Sequence, residues 1–231
     1  MRNFLFLILL MLSVTANAGV VIGGTRFIYP EGHQALDVPV RNDSPAPWLI
    51  NTKILSAQRW PGAEVRAVAD APFIATPPLF ALSAGQENRV RLIRTAVPLP
   101  PDRESLFTLS VAAIPSGKAG PDSVQMAIRS ALKLIYRPAG LKGDPQQAYG
   151  QLRWLRTMDG VAVDNPTPFY VTLFNVRVNG KTVDNAGVVA PFGSRALAWC
   201  KGAAACQLQW QTLNDYGRVM PPLSADVRER Q

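Results

Sequence analysis

The segment Val124-Gln-Met-Ala-Ile-Arg-Ser-Ala-Leu-Lys133-Leu-Ile-Tyr136 is the longest alternating stretch in this 231-residue sequence, and it decides the fold class. Apolar Val124, Met126 and Ile128 alternate here with other side chains. Because successive side chains of a β-strand point to opposite faces, these three share one face. The segment therefore predicts a long strand with an apolar stripe, and the polar Ser130 ends that stripe.

Shorter alternating segments flank this strand on both sides, separated by Gly, Pro and Asn. Strands at this spacing predict β-sandwich architecture, and no segment has the long 3.6-residue apolar period of a helix. The strand segments before it are Trp48–Leu55, Phe73–Pro78, Arg89–Arg94 and Leu106–Ile114; those after it are Gln151–Trp154, Tyr170–Val178, Ala196–Cys200 and Cys206–Trp210. Asn179-Gly180, directly after an alternating strand, predicts a hairpin.

Two domains follow from a break in this pattern. The segment Arg137–Pro145 is rich in Pro and Gly and is typical of an interdomain linker. The sequence thus predicts an all-β protein with an N-terminal domain at residues 19–139 and a C-terminal domain at residues 140–231.

Residues 1–18 have the pattern of a cleaved secretory signal peptide. Arg2 precedes the apolar run Phe4–Val14, and Ala16-Asn17-Ala18 is a small-x-small cleavage site. An uncleaved anchor is the alternative, but the run is short for a bilayer. We therefore expect an exported mature chain that begins at Gly19.

Composition and charge exclude several function classes. With 48% apolar and 17% charged residues, the chain is not a disordered tail. The formal net charge is +8, but the Lys and Arg are scattered, so charge alone does not choose among nucleic acid, an anionic membrane and an acidic protein as partner. One His and two Cys exclude a zinc cluster of these ligands and leave little room for a His-dependent triad.

Cys200 and Cys206 are the two cysteines, with five residues between them. In an exported protein such a pair predicts a disulfide. Because the spacing is not Cys-x-x-Cys, a structural bridge is favoured over a redox-active one.

Four short segments carry a family resemblance. They lie in a fixed order behind the signal peptide: Thr25–Gly32, Glu104–Phe107 with Ala113–Pro115, Val124–Pro138, and Asn214–Gly217. Together they resemble the periplasmic pilus chaperones of the chaperone–usher pathway, over the whole mature chain. The resemblance implies two immunoglobulin-like β-sandwich domains in a boomerang arrangement with a cleft between them. It also implies a periplasmic location and a function without enzymatic activity, cofactor or metal.

The resemblance further implies partners and roles for residues. The clients would be pilin or fimbrial subunits that lack their last strand, and the chaperone would deliver them to an outer-membrane usher. The resemblance also implies that the chaperone binds no nucleic acid and does not insert stably into a membrane. The pilin's C-terminal carboxylate would be held by Arg26 and Lys133, with Thr25 assisting. The stripe of Val124, Met126 and Ile128 would fill the client's groove, an instance of strand addition.

A second set of positions matches a structural feature of the same family. Glu104, Arg137 and Asp215 would form a charge network across the domain interface and stiffen the interdomain angle. Lys133 is an odd number of residues from Val124, Met126 and Ile128, so in a regular strand it would lie on the opposite face from the stripe. We therefore expect a twist, a bulge or the end of the strand between them.

Other interpretations stay open from the residues alone. The stripe could face its own core, and Arg26 and Lys133 could be ordinary solvated cations. A secreted immunoglobulin-like adhesin or carbohydrate-binding module is the alternative function, and it would use exposed aromatics such as Trp48, Trp60 or Trp154. No constellation of residues supports a catalytic function.

Overall fold

The computed structural model describes residues 19–65, 72–117 and 124–228, so the proposed signal peptide lies outside the described residues. Apart from two 3₁₀ turns, Ala57–Arg59 and Ala148–Gln151, all regular structure in these residues is β. The described part of the chain contains no helix of the length and apolar character needed to cross a membrane. The predicted all-β class is confirmed.

The N-terminal unit is a sandwich of two sheets. Its strands are β1 (Val20–Ile22), β2 (Arg26–Pro30), β3 (Leu36–Asn42), β4 (Trp48–Leu55), β5 (Phe73–Thr76), β6 (Leu79–Leu82), β7 (Glu87–Arg94), β8 (Ser105–Pro115) and β9 (Ile128–Arg137). The strand orders are β1-β3-β7-β5 and β2-β9-β8-β4-β6. The first segment of the chain therefore changes sheets between β1 and β2, and β2 pairs in parallel with β9.

Alternation builds the core between these sheets. Val38 and Val40 of β3 and Leu134 and Tyr136 of β9 point inward and are at most 1% exposed. The Phe73 ring of β5 makes edge-on contacts with the rings of Tyr29 in β2 and Phe107 in β8, both in the opposite sheet. Strands such as β3 and β7 place every second side chain in this core and leave the others for the outer face, whereas residues 105–113 of β8 are buried on both faces.

The described part of the C-terminal unit contains nine strands of two to five residues. They are β10 (Arg153–Thr157), β11 (Gly160–Asp164), β12 (Val171–Thr172), β13 (Phe174–Val178), β14 (Lys181–Thr182), β15 (Val188–Val189), β16 (Ser194–Leu197), β17 (Gln207–Gln211) and β18 (Leu223–Asp226). They form the sheets β10-β11-β16, β12-β15 and β14-β13-β17-β18. Trp210, Val161 and Val163 lie in the core between them.

The predicted hairpin at Asn179-Gly180 is confirmed. Arg177 pairs with Thr182 and Val178 with Lys181, and both turn residues have positive φ, +48° and +79°. Asn-Gly suits this two-residue turn because both residues tolerate a positive φ.

One predicted strand is divided in the structure. Tyr170–Val178 was expected to be continuous, but it forms β12 and β13, with an irregular register between Phe174 and Arg177 and a positive φ at Asn175. The break lets β12 pair with β15 while β13 pairs with β17.

The predicted disulfide between Cys200 and Cys206 is present, with a Cα–Cα distance of 5.6 Å. It links the turn after β16 to the residue before β17. Because β16 and β17 lie in different sheets, the bridge ties the sheet β10-β11-β16 to the sheet β14-β13-β17-β18.

The two units touch through a small apolar cluster. Ala57, Leu106 and Ile135 of the N-terminal unit pack against Val188 of β15. The outer face of β9 therefore lies at the junction of the units. The proposed boundary after residue 139 falls in the turns between β9 and the 3₁₀ turn that begins at Ala148.

Candidate functional site

The two faces of β9 have different surroundings. Leu132, Leu134 and Tyr136 pack in the N-terminal core, whereas Lys133 and Ile135 face the C-terminal unit. The ladder with β8 runs without a register shift from Tyr136 to Ile128. Between Ile128 and Lys133 the expected bulge or strand end is therefore wrong, because these two residues lie on opposite faces of one regular strand; Val124 and Met126 precede that strand.

The apolar stripe projects beyond the sandwich. Val124 is 90% exposed, Met126 69% and Ile128 55%, so the stripe does not face its own core. The strand was expected to start at Val124, but it starts at Ile128. Extended by two residues, the ladder would place Pro115 of β8 opposite Met126, and Pro has no N–H to donate to it.

One edge of β9 is open for half its length. Residues 128–132 pair with β8 on one side, whereas β2 begins only at Arg26, whose partner is Lys133. No other described strand pairs with residues 128–132 on that side. An unpaired edge next to exposed apolar side chains is a template for an added strand.

Arg26 lies beside Lys133 in the parallel register of β2 and β9. Its Nη1 donates to the Leu213 carbonyl oxygen at 2.6 Å and its Nη2 donates to Thr172 Oγ1 at 3.3 Å, while its buried Nε has no partner. Burial lowers the pKa of Arg26, and the charges of two carboxylates oppose this. The guanidinium stays protonated at physiological pH.

Lys133 reaches the same region from the next strand. Its Nζ lies 4.0 Å from the centre of the Trp60 ring, and burial together with the charge of Arg26 lowers the pKa of Lys133 to about 8. Neither cation forms an ion pair with a carboxylate of the described residues. Lys133 and Trp60 line a pocket of about 360 Å³ between the units, with Asp184 and Leu213 on the C-terminal side.

Thr25 lies at the same edge and is exposed. Its Oγ1 is close to Gly217, where an added Cβ would stand 3.0 Å away. The structure thus brings the three predicted anchor residues, Thr25, Arg26 and Lys133, to one side of the junction.

Arg137 connects two carboxylates from different units. Its Nε donates to Glu104 Oε1 at 2.6 Å, and its Nη1 and Nη2 donate to the two oxygens of Asp215 at 2.6 and 2.9 Å. Glu104 Oε2 also accepts the Tyr170 backbone N–H at 2.7 Å. The geometry of the predicted network is therefore present among the described residues.

The electrostatics of this network follow from its burial. Glu104 is 2% exposed. Burial raises the pKa of Glu104 to about 7, although Arg137 and the Tyr170 N–H lower it. Burial works against the charge of Arg137 as well, but the hydrogen bonds and charges of Asp215 and Glu104 raise its pKa.

Family models match almost the whole described chain. Residues 19–142 match the pili and flagellar-assembly chaperone PapD N-terminal domain, and residues 147–223 match the pili assembly chaperone PapD C-terminal domain. The chain belongs to the PapD family of pilus-assembly chaperones. The family resemblance drawn from the sequence is confirmed.

Individual relatives agree with this membership. The chaperone is 48% identical to the uncharacterized fimbrial chaperone YcbF of Escherichia coli K12, over 90% of this chain and 88% of YcbF. It is 36% identical to the chaperone protein FimC of the same strain, over 97% of this chain and 91% of FimC.

Solved structures of family members have the same fold. The SafB chaperone in complex with the Salmonella enterica SafA pilin matches with a TM-score of 0.77 and 32% identity, over 93% of this chain and 99% of that one. The periplasmic chaperone SfaE matches with a TM-score of 0.72 and 34% identity, over 89% of this chain and 98% of SfaE. The predicted pair of immunoglobulin-like domains is confirmed.

The aromatic residues of the alternative function do not form an exposed platform. In this chaperone Trp48 packs against the N-terminal core and donates from Nε1 to Ser44 Oγ at 2.8 Å. Trp154 stacks on Trp199 in the C-terminal core. Trp60 lines the pocket beside Lys133, so the adhesin or carbohydrate-binding alternative is not favoured.

The sequence reasoning missed a second junction between the units. The Pro61 carbonyl oxygen accepts the Val188 N–H at 2.8 Å and lies 3.3 Å from Arg195 Nη1. Nothing in the spacing of the sequence relates residue 61 to residues 188 and 195. The available signal was the turn-forming Pro61-Gly62 after Trp60, which indicated a loop without indicating what it touches.

Proposed function

We propose that this chaperone works in the periplasm, where it binds pilin or fimbrial subunits, stabilises them by donor-strand complementation and delivers them to an outer-membrane usher. It acts by binding, without catalysis, cofactor or metal. The observation that carries the proposal is the open edge of β9, which ends at two cations that form no ion pair with a carboxylate of the described residues.

The register of β2 sets the direction of the added strand. A client strand at residues 128–132 would lie in line with β2, since both would pair with the same side of β9. If its C-terminal carboxylate binds Arg26 and Lys133, the strand runs from Ile128 toward Lys133. It is then parallel to β9, and its end meets the start of β2.

The stripe and the cations contribute differently. Burying Val124, Met126 and Ile128 in a client groove contributes about 1.5–3 kcal/mol for each side chain. Charge-assisted hydrogen bonds contribute a further roughly 1.5–3 kcal/mol each. The anchor also fixes the register, because a slip by one residue would turn the stripe away from the groove.

Family members support the nature of the client and the location. The matched SafB chain was solved with a pilin, and SfaE is described as a periplasmic chaperone. The signal-peptide pattern at residues 1–18 fits the same compartment. Delivery to an usher follows from the family resemblance.

The test is recovery of bound proteins from the periplasm of cells that express fimbrial subunits, with identification by mass spectrometry. We expect a small subunit with an incomplete immunoglobulin-like fold. Recovery of no such subunit, from cells shown to produce them, would contradict the proposed function.

Substitution of the stripe is expected to remove the client without unfolding the chaperone. Met126→Asp or Ile128→Asp would place an unpaired charge in the client groove. Neither Met126 nor Ile128 is buried in the free chaperone, so its fold should not depend on them. We expect client recovery to fall about tenfold or more for each variant. Ala127→Asp, on the opposite face of the same exposed segment, is the matched control and should recover client normally.

Binding through Lys133 is expected to weaken as the pH rises through about 8. A carboxylate needs the ammonium form, and the bound carboxylate raises the pKa of Lys133, so the free chaperone loses the proton before the complex does. Arg26 stays charged throughout this range. We expect a loss of up to about tenfold per pH unit above the free pKa, measured with a synthetic peptide that ends in a free carboxylate. Lys133→Arg should remove this dependence, and an equal dependence in that variant would contradict the assignment.

A further inference from the structure

The backbone N–H and the backbone carbonyl oxygen of Trp60 both form hydrogen bonds within the loop between β4 and β5. The Trp60 N–H donates to the Ala57 carbonyl oxygen at 2.8 Å, and the Trp60 carbonyl oxygen accepts the Ala63 N–H at 3.0 Å. Ala57 is 1% exposed and packs in the apolar cluster that joins the two units. The backbone of Trp60 is therefore fixed at the junction.

The next residues attach the loop to the C-terminal unit. Arg195 Nη1 donates to the Ala186 carbonyl oxygen at 2.5 Å and is also close to the Pro61 and Val188 carbonyl oxygens. Gly187 has a φ of +82°, and a Cβ there would stand 2.1 Å from the Pro61 carbonyl oxygen. Glycine is therefore required at position 187, because the two backbones are in direct contact.

The ring of Trp60 lies against the cation of the anchor. Lys133 Nζ stands 4.0 Å from the ring centre, within the range of a cation–π interaction. The same ring lines the pocket between the units together with Lys133, and its Nε1 is buried without a partner. No described side chain forms a hydrogen bond or ion pair with Lys133 Nζ, so the Trp60 ring is its contact within the described residues.

We propose that Trp60 is a positioning residue of the client anchor, whose ring holds the Lys133 ammonium at the pocket where the client's terminal carboxylate binds. This inference rests on the proposed function. The contact between Pro61 and the Gly187 region holds the ring in turn. The carboxylate anchor thus depends on the junction of the units as well as on β2 and β9.

Restricting Lys133 in advance favours carboxylate binding. A lysine side chain is a flexible stem that samples many rotamers when free, and ordering it on binding has an entropic cost. A ring that already restricts the ammonium reduces that cost, which is the general effect of preorganisation. The benefit applies to a ligand that uses the ammonium and not to contacts along the stripe.

The test compares two synthetic peptides of alternating Val and Thr, one with a free C-terminal carboxylate and one with a C-terminal amide. Binding of both is measured by calorimetry to the parent chaperone, Trp60→Leu and Trp60→Phe. We expect Trp60→Leu to reduce the preference for the carboxylate peptide about fivefold to tenfold. Trp60→Phe keeps a ring for Lys133 and should restore most of the preference.

A double-mutant cycle with Lys133→Ala separates this role from a merely structural one. If Trp60 acts through Lys133, adding Trp60→Leu to Lys133→Ala should cause no further loss of carboxylate preference. An equal loss for both peptides, or an unchanged preference in Trp60→Leu, would overturn the inference and leave the anchor intact. An unchanged preference in Lys133→Ala itself would overturn the anchor, and the inference with it.

Discussion

Arg26→Glu is expected to abolish recovery of client subunits. The substitution replaces one of two adjacent cations with an anion, which would pair with Lys133 and repel the client's carboxylate. Loss of a charge-assisted hydrogen bond alone weakens binding by roughly tenfold to a hundredfold, and repulsion adds to this. The measurement is the amount of client that co-purifies from the periplasm with equal amounts of chaperone.

Two further variants separate binding from folding. Lys133→Ala removes a cation that forms no hydrogen bond or ion pair within the described residues, so it should weaken client binding with little effect on the fold. Arg91→Glu makes the same charge change as Arg26→Glu at an exposed position on β7, in the other sheet, and should recover client normally. Normal client yield from Arg26→Glu would contradict the anchor.

Arg137→Ala is expected to cause the largest loss of stability among the variants considered. It would leave Glu104, which is 2% exposed, as a buried carboxylate without its cation and would release Asp215 of the other unit. Breaking a buried ion pair in this way typically costs roughly 3–5 kcal/mol. For a chain of this size, we expect the midpoint of thermal unfolding to fall by roughly 10 °C.

The pH dependence of this variant identifies the cause. Burial raises the pKa of Glu104, and without Arg137 the rise is larger. A carboxyl group whose pKa is higher in the folded state favours the folded state at low pH, and this contribution is lost as the pH rises. We therefore expect Arg137→Ala to be destabilised more near pH 8 than near pH 5, by about 1 kcal/mol or more.

Arg41→Ala is the matched control for Arg137→Ala. Arg41 pairs with Asp43 at 2.9 Å, but the Arg41 side chain is 55% exposed. A pair of this kind contributes about 0.2–1 kcal/mol. A loss in Arg137→Ala no greater than in Arg41→Ala would show that the interdomain network does not stabilise the fold.

The long strand illustrates what sequence alone can predict here. Apolar patterning identified β9 and the strands β4, β7 and β8, although residues 105–113 of β8 are buried on both faces. The start of β9 could not be predicted from residues 124–127 alone, since a strand there also needs a partner in β8, where Pro115 has no N–H to donate. The opposite parity of Lys133 needs no irregularity in β9, because the outer face of a strand can be functional as well as the inner one.

The structure brings Arg26 beside Lys133 and joins Arg137 to Glu104 and Asp215. The roles that the family resemblance implies for these residues stay predictions. Sequence could not reveal the loop at Trp60. Its contacts join residue 61 to residues 187, 188 and 195, which are far apart in sequence and have no shared pattern. Contacts between backbones of different units leave no periodicity to detect.

The central claim is that a client strand adds to the open edge of β9, and amide hydrogen exchange tests it most directly. The exchange of backbone amides at residues 128–132 would be measured by NMR in the free chaperone and in its complex with a recovered client. We predict that the amides at the open edge become protected when the client binds, while those already bonded to β8 change little. A stable complex in which the open-edge amides exchange as fast as in the free chaperone would contradict donor-strand addition at β9.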